Sequence, residues 1–528
     1  MCRSTTSRKN ELLGVPPSEP LPSGSYVRIR SPAMTNGSST TVDRKLSVFT
    51  PEFRSITVST LTLLALAAFD GMSVTAALPE IGGELGVKLL PWVLTAFMLT
   101  STVAMLAAGT VIDALGVTRT YRFTLVVFFA SSVLCTVAPT LHLLIAARVV
   151  QGIGGGLVMA TTISIVGLSF PAELRARAYA ANSTVWGVMA LVGPALAALM
   201  VSVGSWRWIF AVNLPLVAFA AAIGWNRLPT TASSKQLRFD LRGLILVAAF
   251  ATATLLGLSE LRRASVFAVM VAVVVLALYW LHSGRVQTPI LSRRYFAEAP
   301  FGLLNAIPLT FFAGSLAIDA FVPLYVRGGL GKSNTVSAFA VAFLALGWTS
   351  GSQIVSRMLD RIRNTTAMVS GFAITIPAIT GGVLFYSDHA PIGLVFLLSY
   401  CQGLGIGAVT NATLSLLQRT ATANEMGRAS AAHQFLRNLG GTLGTAVAGG
   451  VLFFVVDRRI GGIDLVRDLL AGDDVELAKP TQQAIASGFR AAAVVALCFT
   501  LIGFFFALRT QRWMNRHGSQ RDQHSPRS

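Results

Sequence analysis

Long apolar segments alternate with short polar segments along most of the chain. A helix needs about 20 predominantly apolar residues to cross a bilayer, and fourteen segments approach or exceed this length. Their approximate bounds are 57–78, 92–112, 123–139, 141–168, 179–203, 206–225, 241–259, 264–282, 301–325, 334–356, 366–386, 391–417, 429–456 and 491–508. The pattern predicts an all-α polytopic membrane protein with fourteen transmembrane helices.

Composition agrees with a membrane protein. Hydrophobic residues make up 53% of the 528 residues and charged residues only 12%, which is about half the charged share usual in soluble proteins. This composition excludes a disordered protein and argues against a cytosolic enzyme. The formal net charge is +19, but basic residues are enriched in cytoplasmic loops of membrane proteins. We therefore expect no nucleic-acid partner.

The distribution of basic residues predicts the orientation of the chain. With a cytoplasmic N-terminus, the short cytoplasmic loops hold sixteen Lys and Arg residues and the two tails hold thirteen more. The loops on the other side hold eleven, five of them in the last long loop, where the positive-inside rule is weak. We therefore expect both termini to be cytoplasmic and the chain to be a multi-pass protein of the plasma (inner) membrane.

The polar segments divide the chain into five regions. Residues 1–53 are rich in Ser, Thr, Pro and Arg and contain no apolar run, so we expect a disordered cytoplasmic tail there. The other predicted regions are an N-terminal six-helix bundle at 54–226, a linker with two extra transmembrane helices at 227–299, a C-terminal six-helix bundle at 300–510 and a cytoplasmic tail at 511–528.

Three pairs of positions recur at offsets of 247 to 251 residues. The pairs are Gln151 with Gln402, in the strings QGIGGG and QGLGIG, Asp113 with Asp360, and Asp70 with Asp319. Together they indicate that the two six-helix bundles are an internal repeat. Repeated halves are the usual construction of secondary transporters, which hold the substrate between the halves near the middle of the membrane.

Four motifs of the N-terminal bundle carry a resemblance to a known family. They are FDGMSVTAALP at Phe69–Pro79, GTVIDALGVTR at Gly109–Arg119, RVVQGIGGG at Arg148–Gly156, and Gly187 with Gly193-Pro194. WRWIFAVNLP at 206–215 and FLRNLGGTLG at 435–444 add similar strings. Over about residues 54–510 the chain resembles the major facilitator superfamily, specifically its fourteen-helix drug:proton antiporter branch. The resemblance implies a major facilitator fold and proton-coupled export by alternating access.

Asp70 and Arg148 are charged residues within apolar segments. Asp70 is about eight residues from the outer end of the first segment and Arg148 about seven from that of the fourth, so both are roughly 10–12 Å deep at 1.5 Å per residue. A charge at this depth is costly without a partner or a cavity. Asp70 is either a proton carrier or a structural carboxylate. The resemblance implies proton coupling for Arg148, and a static salt bridge is the alternative.

Three further polar residues are candidates for the proton path or the substrate cavity. Asp319 lies at a similar depth in the ninth segment. It is a second proton site, a site for a cationic substrate, or a cap for a kink near Pro323. Gln151 lies one turn from Arg148 and extends the polar track toward the cavity. Arg437 either lines the cavity or extends its charged end to the membrane interface.

The loop after the second segment is assigned to gating. By resemblance, Asp113 accepts hydrogen bonds from a helix N-terminus at the cytoplasmic face, and Gly109 and Gly116 allow a tight turn and close approach of helices. The loop departs from the family pattern because Ala114 follows the Asp and only Arg119 remains of the basic end. This departure predicts a weakened gate.

The remaining motif residues are assigned to helix packing. Gly152 and Gly187 are small residues of the kind that lets membrane helices approach closely. Gly193-Pro194 predicts a bend in the fifth segment, because proline removes one backbone hydrogen bond.

The sequence thus predicts a proton-coupled secondary transporter that exports amphipathic or cationic small molecules, as multidrug efflux proteins do. We expect the proton gradient to supply the energy, and no cofactor. The Cys and His residues show no metal-ligand spacing, so no metal is expected, and no nucleophile and base indicate an enzyme. The expected partners are the substrate, protons and the lipid bilayer, and the protein is expected to function as a monomer.

Two alternatives remain open at this point. The same fold could export an endogenous lipid or metabolite, because specificity is distributed over many apolar side chains of a cavity. A membrane sensor without transport is the other alternative, but a sensor needs no buried acid and base at equal depth.

Overall fold

A computed structural model shows how these segments fold. It describes residues 47–86, 89–90, 92–228, 239–259, 263–359, 361–422, 425–461 and 478–522. The described residues form helices joined by short turns, as the apolar pattern predicts.

The described residues of the N-terminal half form seven helices. They are α1 Arg54–Leu85, α2 Trp92–Leu115, α3 Val117–Thr136, α4 Leu141–Ser169, α5 Ala172–Val203, α6 Arg207–Ala211 and α7 Asn213–Gly224. Three helices follow before the C-terminal half, namely α8 Leu241–Ser259, α9 Arg263–Ser283 and α10 Arg294–Ala297.

The C-terminal half begins with a helix that is broken near its end. Its elements are α11 Phe301–Asp319, α12 Val322–Leu324, a π-helical turn Tyr325–Gly329, α13 Asn334–Met358, α14 Asn364–Phe385, α15 Ile392–Thr420, α16 Met426–Ile460 and α17 Lys479–Asp522.

Each predicted apolar segment coincides with a helix or a pair of consecutive helices. Within the described residues, eleven helical segments are long and apolar enough to cross a membrane. The other three predicted segments correspond to α3, α8 and α9. The first of these carries Arg119 and Arg122 in its first two turns, and the apolar parts described for the other two are shorter. An all-helical protein with many membrane-crossing helices is confirmed, and the number fourteen stays a prediction.

Several helices extend beyond the apolar segments that predicted them. α1 continues to Leu85 rather than residue 78, and α17 begins at Lys479 and runs through 511–522, which the sequence assigned to a tail. The described end of the other predicted tail also packs on the bundle, since Val48 and Phe53 are buried. Hydropathy detects the apolar part of a helix and misses its polar ends. Asp360 and 462–477 lie outside the described residues.

Two pairs of helices make the most extensive contacts between the two halves. α2 packs against α16, and α5 packs against α13. Gly109 of α2 makes a close approach possible, since a Cβ atom there would lie 2.7 Å from the Cβ of Ala431 and 2.9 Å from the Cα of Arg428. Gly187 of α5 faces Thr349 of α13 in the same way. The extra helix α8 packs against both α2 and α16.

The ends of the bundle are named here by two acidic residues. The Asp113 end is where α2 stops and α3 begins. At the opposite end, Glu84 lies near the end of α1, where it accepts a hydrogen bond from Trp206 Nε1 at 2.7 Å and pairs with Arg207 at 2.8 Å. We call this the Glu84 end.

Candidate functional site

A cavity of about 970 Å³ lies between the two halves. This volume is at the upper end of the range for small-molecule sites, and such sites are mostly apolar. Methionines and aromatic rings supply much of the wall, for example Met105, Met159, Trp186, Trp348 and Phe435. Helices of both halves contribute, and α8 adds Ala251 and Thr254. The wall can therefore accept a bulky apolar molecule.

Arg437 lines this cavity from α16. Its guanidinium carbon lies 4.5 Å from the centroid of the Phe312 ring and 5.3 Å from that of Trp348. Such contacts with ring faces favour a cation. Of the two interpretations of Arg437, the structure favours the one in which it faces the cavity.

Asp70 and Arg148 form an ion pair beside the cavity. Arg148 Nη1 lies 2.6 Å from Asp70 Oδ2, and neither side chain has any exposed surface. Arg148 Nε also donates to the backbone oxygen of Val93 at 3.1 Å. The second atoms of the two charged groups, Asp70 Oδ1 and Arg148 Nη2, have no hydrogen-bond partner among the described residues. The pair is thus close but incompletely satisfied.

Gln151 extends this network away from the cavity. Its Oε1 atom accepts from Arg148 Nη1 at 2.7 Å and from Cys135 Sγ at 3.2 Å, and its Nε2 atom donates to Ser132 Oγ at 3.2 Å. Gln151 is fully buried and does not line the cavity in this conformation. The structure therefore places it behind the ion pair, while the sequence placed it at the substrate.

The side chain of Phe97 connects the ion pair with the cavity. The guanidinium carbon of Arg148 lies 4.1 Å from the centroid of the Phe97 ring, and Phe97 lines the cavity. Gly71, next to Asp70, and Gly155 also belong to the wall. A Cβ atom at Gly155 would lie 3.0 Å from the Phe97 ring. Phe97 thus contacts both sites, and no sequence motif singles it out.

The corresponding acid of the C-terminal half has different partners. Asp319 is the last residue of α11, and its Oδ1 atom accepts from Gln402 Nε2 at 2.8 Å. Its Oδ2 atom is buried and has no hydrogen-bond partner among the described residues. Ser399 stands 251 residues after Arg148, where the repeat would place a second arginine. Asp319 does not line the cavity in this conformation.

Asp113 bridges the two halves. It accepts hydrogen bonds from the backbone N–H groups of Gly427 at 3.0 Å and Arg428 at 3.3 Å, and it pairs with Arg428 Nε at 2.8 Å. These donors form the N-terminus of α16, where a negative charge is stabilising. Arg428 comes from the other half and supplies a cation that the loop lacks at Ala114.

The gate therefore differs from the sequence expectation. A weakened gate was predicted from the missing arginine of the loop, but Arg428 contacts Asp113 from the opposite side. Arg119 is exposed on α3, and the described residues give it no ion pair or hydrogen bond. Gly116 has a positive φ of 83° at the start of α3, a conformation that glycine adopts at little cost.

Further hydrogen bonds join the two halves at the Asp113 end. Tyr179 of α5 donates to Gln418 of α15, and Gln418 Nε2 donates to the backbone oxygen of Ile163 at 3.2 Å. Asn411 Nδ2 donates to the backbone oxygen of Ala176 at 3.0 Å. All of these bonds join one half to the other near the Asp113 end and hold the two halves together there.

Packing glycines occur where the motifs place them. A Cβ atom at Gly152 would collide with Thr100 and Phe97 of α2, so α4 and α2 depend on this glycine for their separation. Gly193 is buried, and an added Cβ there would lie 3.7 Å from that of Met72. α5 runs as one helix through Pro194, so the predicted bend does not interrupt it.

Two helical halves around a cavity, with a buried ion pair beside it, are the construction typical of secondary transporters. A family model described as Major Facilitator Superfamily matches residues 60–445. The chain belongs to the Major Facilitator Superfamily. It is therefore a multi-pass membrane transporter and not an enzyme.

Proteins similar to this chain are named after different substrates. The chain is 27% identical over 400 residues to the multidrug transporter protein MdtP of Bacillus subtilis, covering 73% of each chain. It is 25% identical over 384 residues to the riboflavin transporter RibZ of Clostridioides difficile, covering 72% of this chain and 84% of RibZ. The solved proton:xylose symporter XylE shares the fold, with a TM-score of 0.57, 12% identity and coverage of 86% and 95%.

Proposed function

We propose that this chain is a proton-coupled exporter of amphipathic small molecules, of the fourteen-helix drug:proton antiporter branch. It acts in the plasma membrane as a monomer, with both termini cytoplasmic and the proton gradient as its energy source. The bias of basic residues toward the Asp113 end supports this orientation. The similarity to MdtP supports the efflux type.

The observation that carries the proposal is the ion pair between Asp70 and Arg148. A buried ion pair costs desolvation, and its attraction offsets that cost only while both groups are charged. Protonation of Asp70 neutralises one partner and leaves the charge of Arg148 uncompensated. The unpartnered Oδ1 atom of Asp70 offers a position for that proton. The proton therefore changes the stability of this conformation, as coupling requires.

Phe97 connects the pair to the substrate. Its ring contacts the guanidinium group of Arg148 on one side and the cavity on the other. A shift of Arg148 after protonation of Asp70 changes the cavity wall, and a bound substrate restrains the same ring. Proton and substrate thus act on one shared element, which is the physical requirement for coupling two ligands.

Alternating access needs closures that can open. In the proposed orientation, the contacts of Asp113 and Gln418 close the cytoplasmic end, so the described conformation faces outward. From this state Asp70 takes up a proton, which breaks the charge balance with Arg148, and substrate leaves. The contacts of Asp113 then break, and Asp70 releases its proton inside. Asp319 is proposed as a second proton site, since its Oδ2 atom is also unpartnered.

Export of an endogenous lipid or metabolite is a second candidate. The participation of α8 favours it, because this extra helix adds Ala251 and Thr254 to the cavity wall beside α2 and α16. The similarity to RibZ also shows that related chains carry names other than multidrug transporter. The proton mechanism is the same for both candidates.

The test uses inverted membrane vesicles energised with a pH gradient. Three amphipathic dyes are followed together with the gradient: cationic ethidium, neutral dansylamide and anionic dansylglycine. We expect at least one dye to accumulate and to dissipate the gradient, and we expect Asp70→Asn to abolish both effects. Failure of all three dyes, or full coupled transport by Asp70→Asn, would contradict the proposal.

Glu84→Gln is the matched control for this experiment. Glu84 lies on the same helix and also pairs with an arginine, but its side chain is 45% exposed. Its substitution removes a carboxylate of α1 without touching the buried pair. We expect wild-type coupling from this variant, which separates proton coupling from a general effect of charge loss on α1.

A further inference from the structure

In the part of the chain that the structure describes, the cavity wall carries positive charge and no negative charge. Among the described residues that line it, Arg437 is the one with a charged side chain. The two acids proposed as proton sites are not part of the wall. Asp70 pairs with Arg148, and Asp319 accepts a hydrogen bond from Gln402. A cationic molecule in this cavity therefore meets a cation and no carboxylate.

The guanidinium group of Arg437 has no carboxylate partner among the described residues. Its described contacts are with the rings of Phe312 and Trp348. Arginine stays protonated in proteins, and an unpaired charge within a membrane is costly. Ring faces compensate this cost only in part. An anion bound in the cavity would supply the missing counterion.

We propose that the substrates of this transporter are amphipathic organic anions, with the anionic group bound by Arg437 and the apolar part against the methionines and aromatic rings of the wall. This inference rests on the proposed function and narrows its substrate class. A planar guanidinium group binds carboxylate, sulfonate or phosphate oxygens through two parallel hydrogen bonds. The inferred class of anionic substrates differs from the amphipathic or cationic substrates that the sequence predicts.

The test is a binding measurement without a proton gradient. The full chain in nanodiscs of neutral phosphatidylcholine is dialysed to equilibrium with dansylglycine, dansylamide or N-(2-aminoethyl)dansylamide, and empty nanodiscs give the background. These probes share one aromatic body and carry charges of −1, 0 and +1. We expect dansylglycine to bind at least about 10-fold more tightly than the cationic probe.

Variants assign the preference to one side chain. Arg437→Gln is expected to weaken dansylglycine binding by about 10- to 100-fold and to leave dansylamide binding nearly unchanged. Arg437→Lys keeps the positive charge without the planar guanidinium group, so it should weaken dansylglycine binding less than Arg437→Gln does. Arg458→Gln is the matched control, because Arg458 lies on the same helix over the Phe454 ring at 5.0 Å and is exposed outside the cavity.

Free anions and anionic lipid headgroups share this chemistry. Nanodiscs with added phosphatidylglycerol distinguish them, since displacement of dansylglycine by the lipid assigns the native source to the bilayer and unchanged binding assigns it to free molecules. Either result is consistent with an anion site at Arg437.

Two results would overturn the inference. One is binding of the cationic probe by the wild-type chain as tight as that of dansylglycine, which needs no variant. The other is unchanged dansylglycine affinity in Arg437→Gln. Because no gradient is present, a chain that binds anions but fails in the vesicle experiment contradicts the proposed coupling alone. A coupled transporter that prefers ethidium contradicts the anion inference alone.

Discussion

Asp70 in the N-terminal half and Asp319 in the C-terminal half stand 249 residues apart at corresponding positions of the repeat. Each has an amide neighbour from the same repeated string, Gln151 near Asp70 and Gln402 on Asp319. The difference is the cation, because Arg148 pairs with Asp70 while Ser399 stands at the equivalent position of the other half.

This difference separates two ways of burying an acid. A carboxylate that pairs with a buried arginine balances the charge of that arginine, and removal of either partner leaves the other charge unpaired in an apolar interior. A carboxyl group with an amide alone has no such dependence, since its neutral form is compatible with the same hydrogen bond. The N-terminal half therefore contains a buried acid and base whose charges balance. In the C-terminal half the acid has no such partner among the described residues, and Arg437 faces the cavity.

The largest expected effect tests the charge balance directly. Arg148→Gln leaves Asp70 buried without its counterion, which costs about 3–5 kcal/mol when one partner of a buried pair is removed. The double variant Asp70→Asn with Arg148→Gln removes both charges and should recover most of this loss. The measurement is the free energy of unfolding in detergent for both variants. A double variant less stable than Arg148→Gln would show that the pair does not hold the charge balance we describe.

A smaller effect compares the two acids. Asp70→Asn removes the negative charge but keeps an oxygen that can accept a hydrogen bond from Arg148, so its cost should be smaller than that of Arg148→Gln, about 1–3 kcal/mol. Asp319→Asn keeps an oxygen that accepts from Gln402 and leaves no cation unpaired, so its free energy of unfolding should change by less than about 1 kcal/mol. Unfolding curves of the two variants, recorded in the same detergent, give the comparison. Equal losses would mean that Asp319 has a charged partner in the folded protein.

Much of this arrangement follows from the sequence, and the reasons are specific. The apolar segments predict the helices because a bilayer requires about 20 apolar residues. The depth of Asp70 and Arg148 follows from counting residues at 1.5 Å each, and the structure brings them into contact. Asp113 at a helix N-terminus follows from the resemblance of its loop.

Other features depend on contacts between distant segments. Arg428 contacts Asp113 although the two residues are 315 positions apart in the chain. No local sequence pattern predicts this contact. Phe97 is one of 31 phenylalanines and belongs to no motif, so the sequence does not predict its contacts with the ion pair and the cavity. For Gln151 the sequence predicted a place in the cavity, but its side chain bonds to Arg148, Cys135 and Ser132 and does not reach the wall.

The smallest expected effect concerns Glu84, the exposed counterpart of Asp70 on the same helix. Hydrogen bonds from Trp206 and Arg207 lower the pKa of Glu84 below its ordinary value of 4.5. A lowered pKa stabilises the folded state above the unfolded pKa, and this contribution disappears as the pH falls through the folded pKa.

Glu84→Gln should therefore lower the Tm slightly at pH 7, because exposed ion pairs contribute at most about 1 kcal/mol. The difference from wild type should shrink as the pH falls below 4.5. The measurement is thermal unfolding of both proteins between pH 7 and the most acidic pH at which wild type stays soluble. Glu84 lies beyond the apolar part of α1. If Glu84→Gln lowered the Tm at pH 7 as much as Arg148→Gln does under the same conditions, the exposed pair and the buried pair would not differ as we describe.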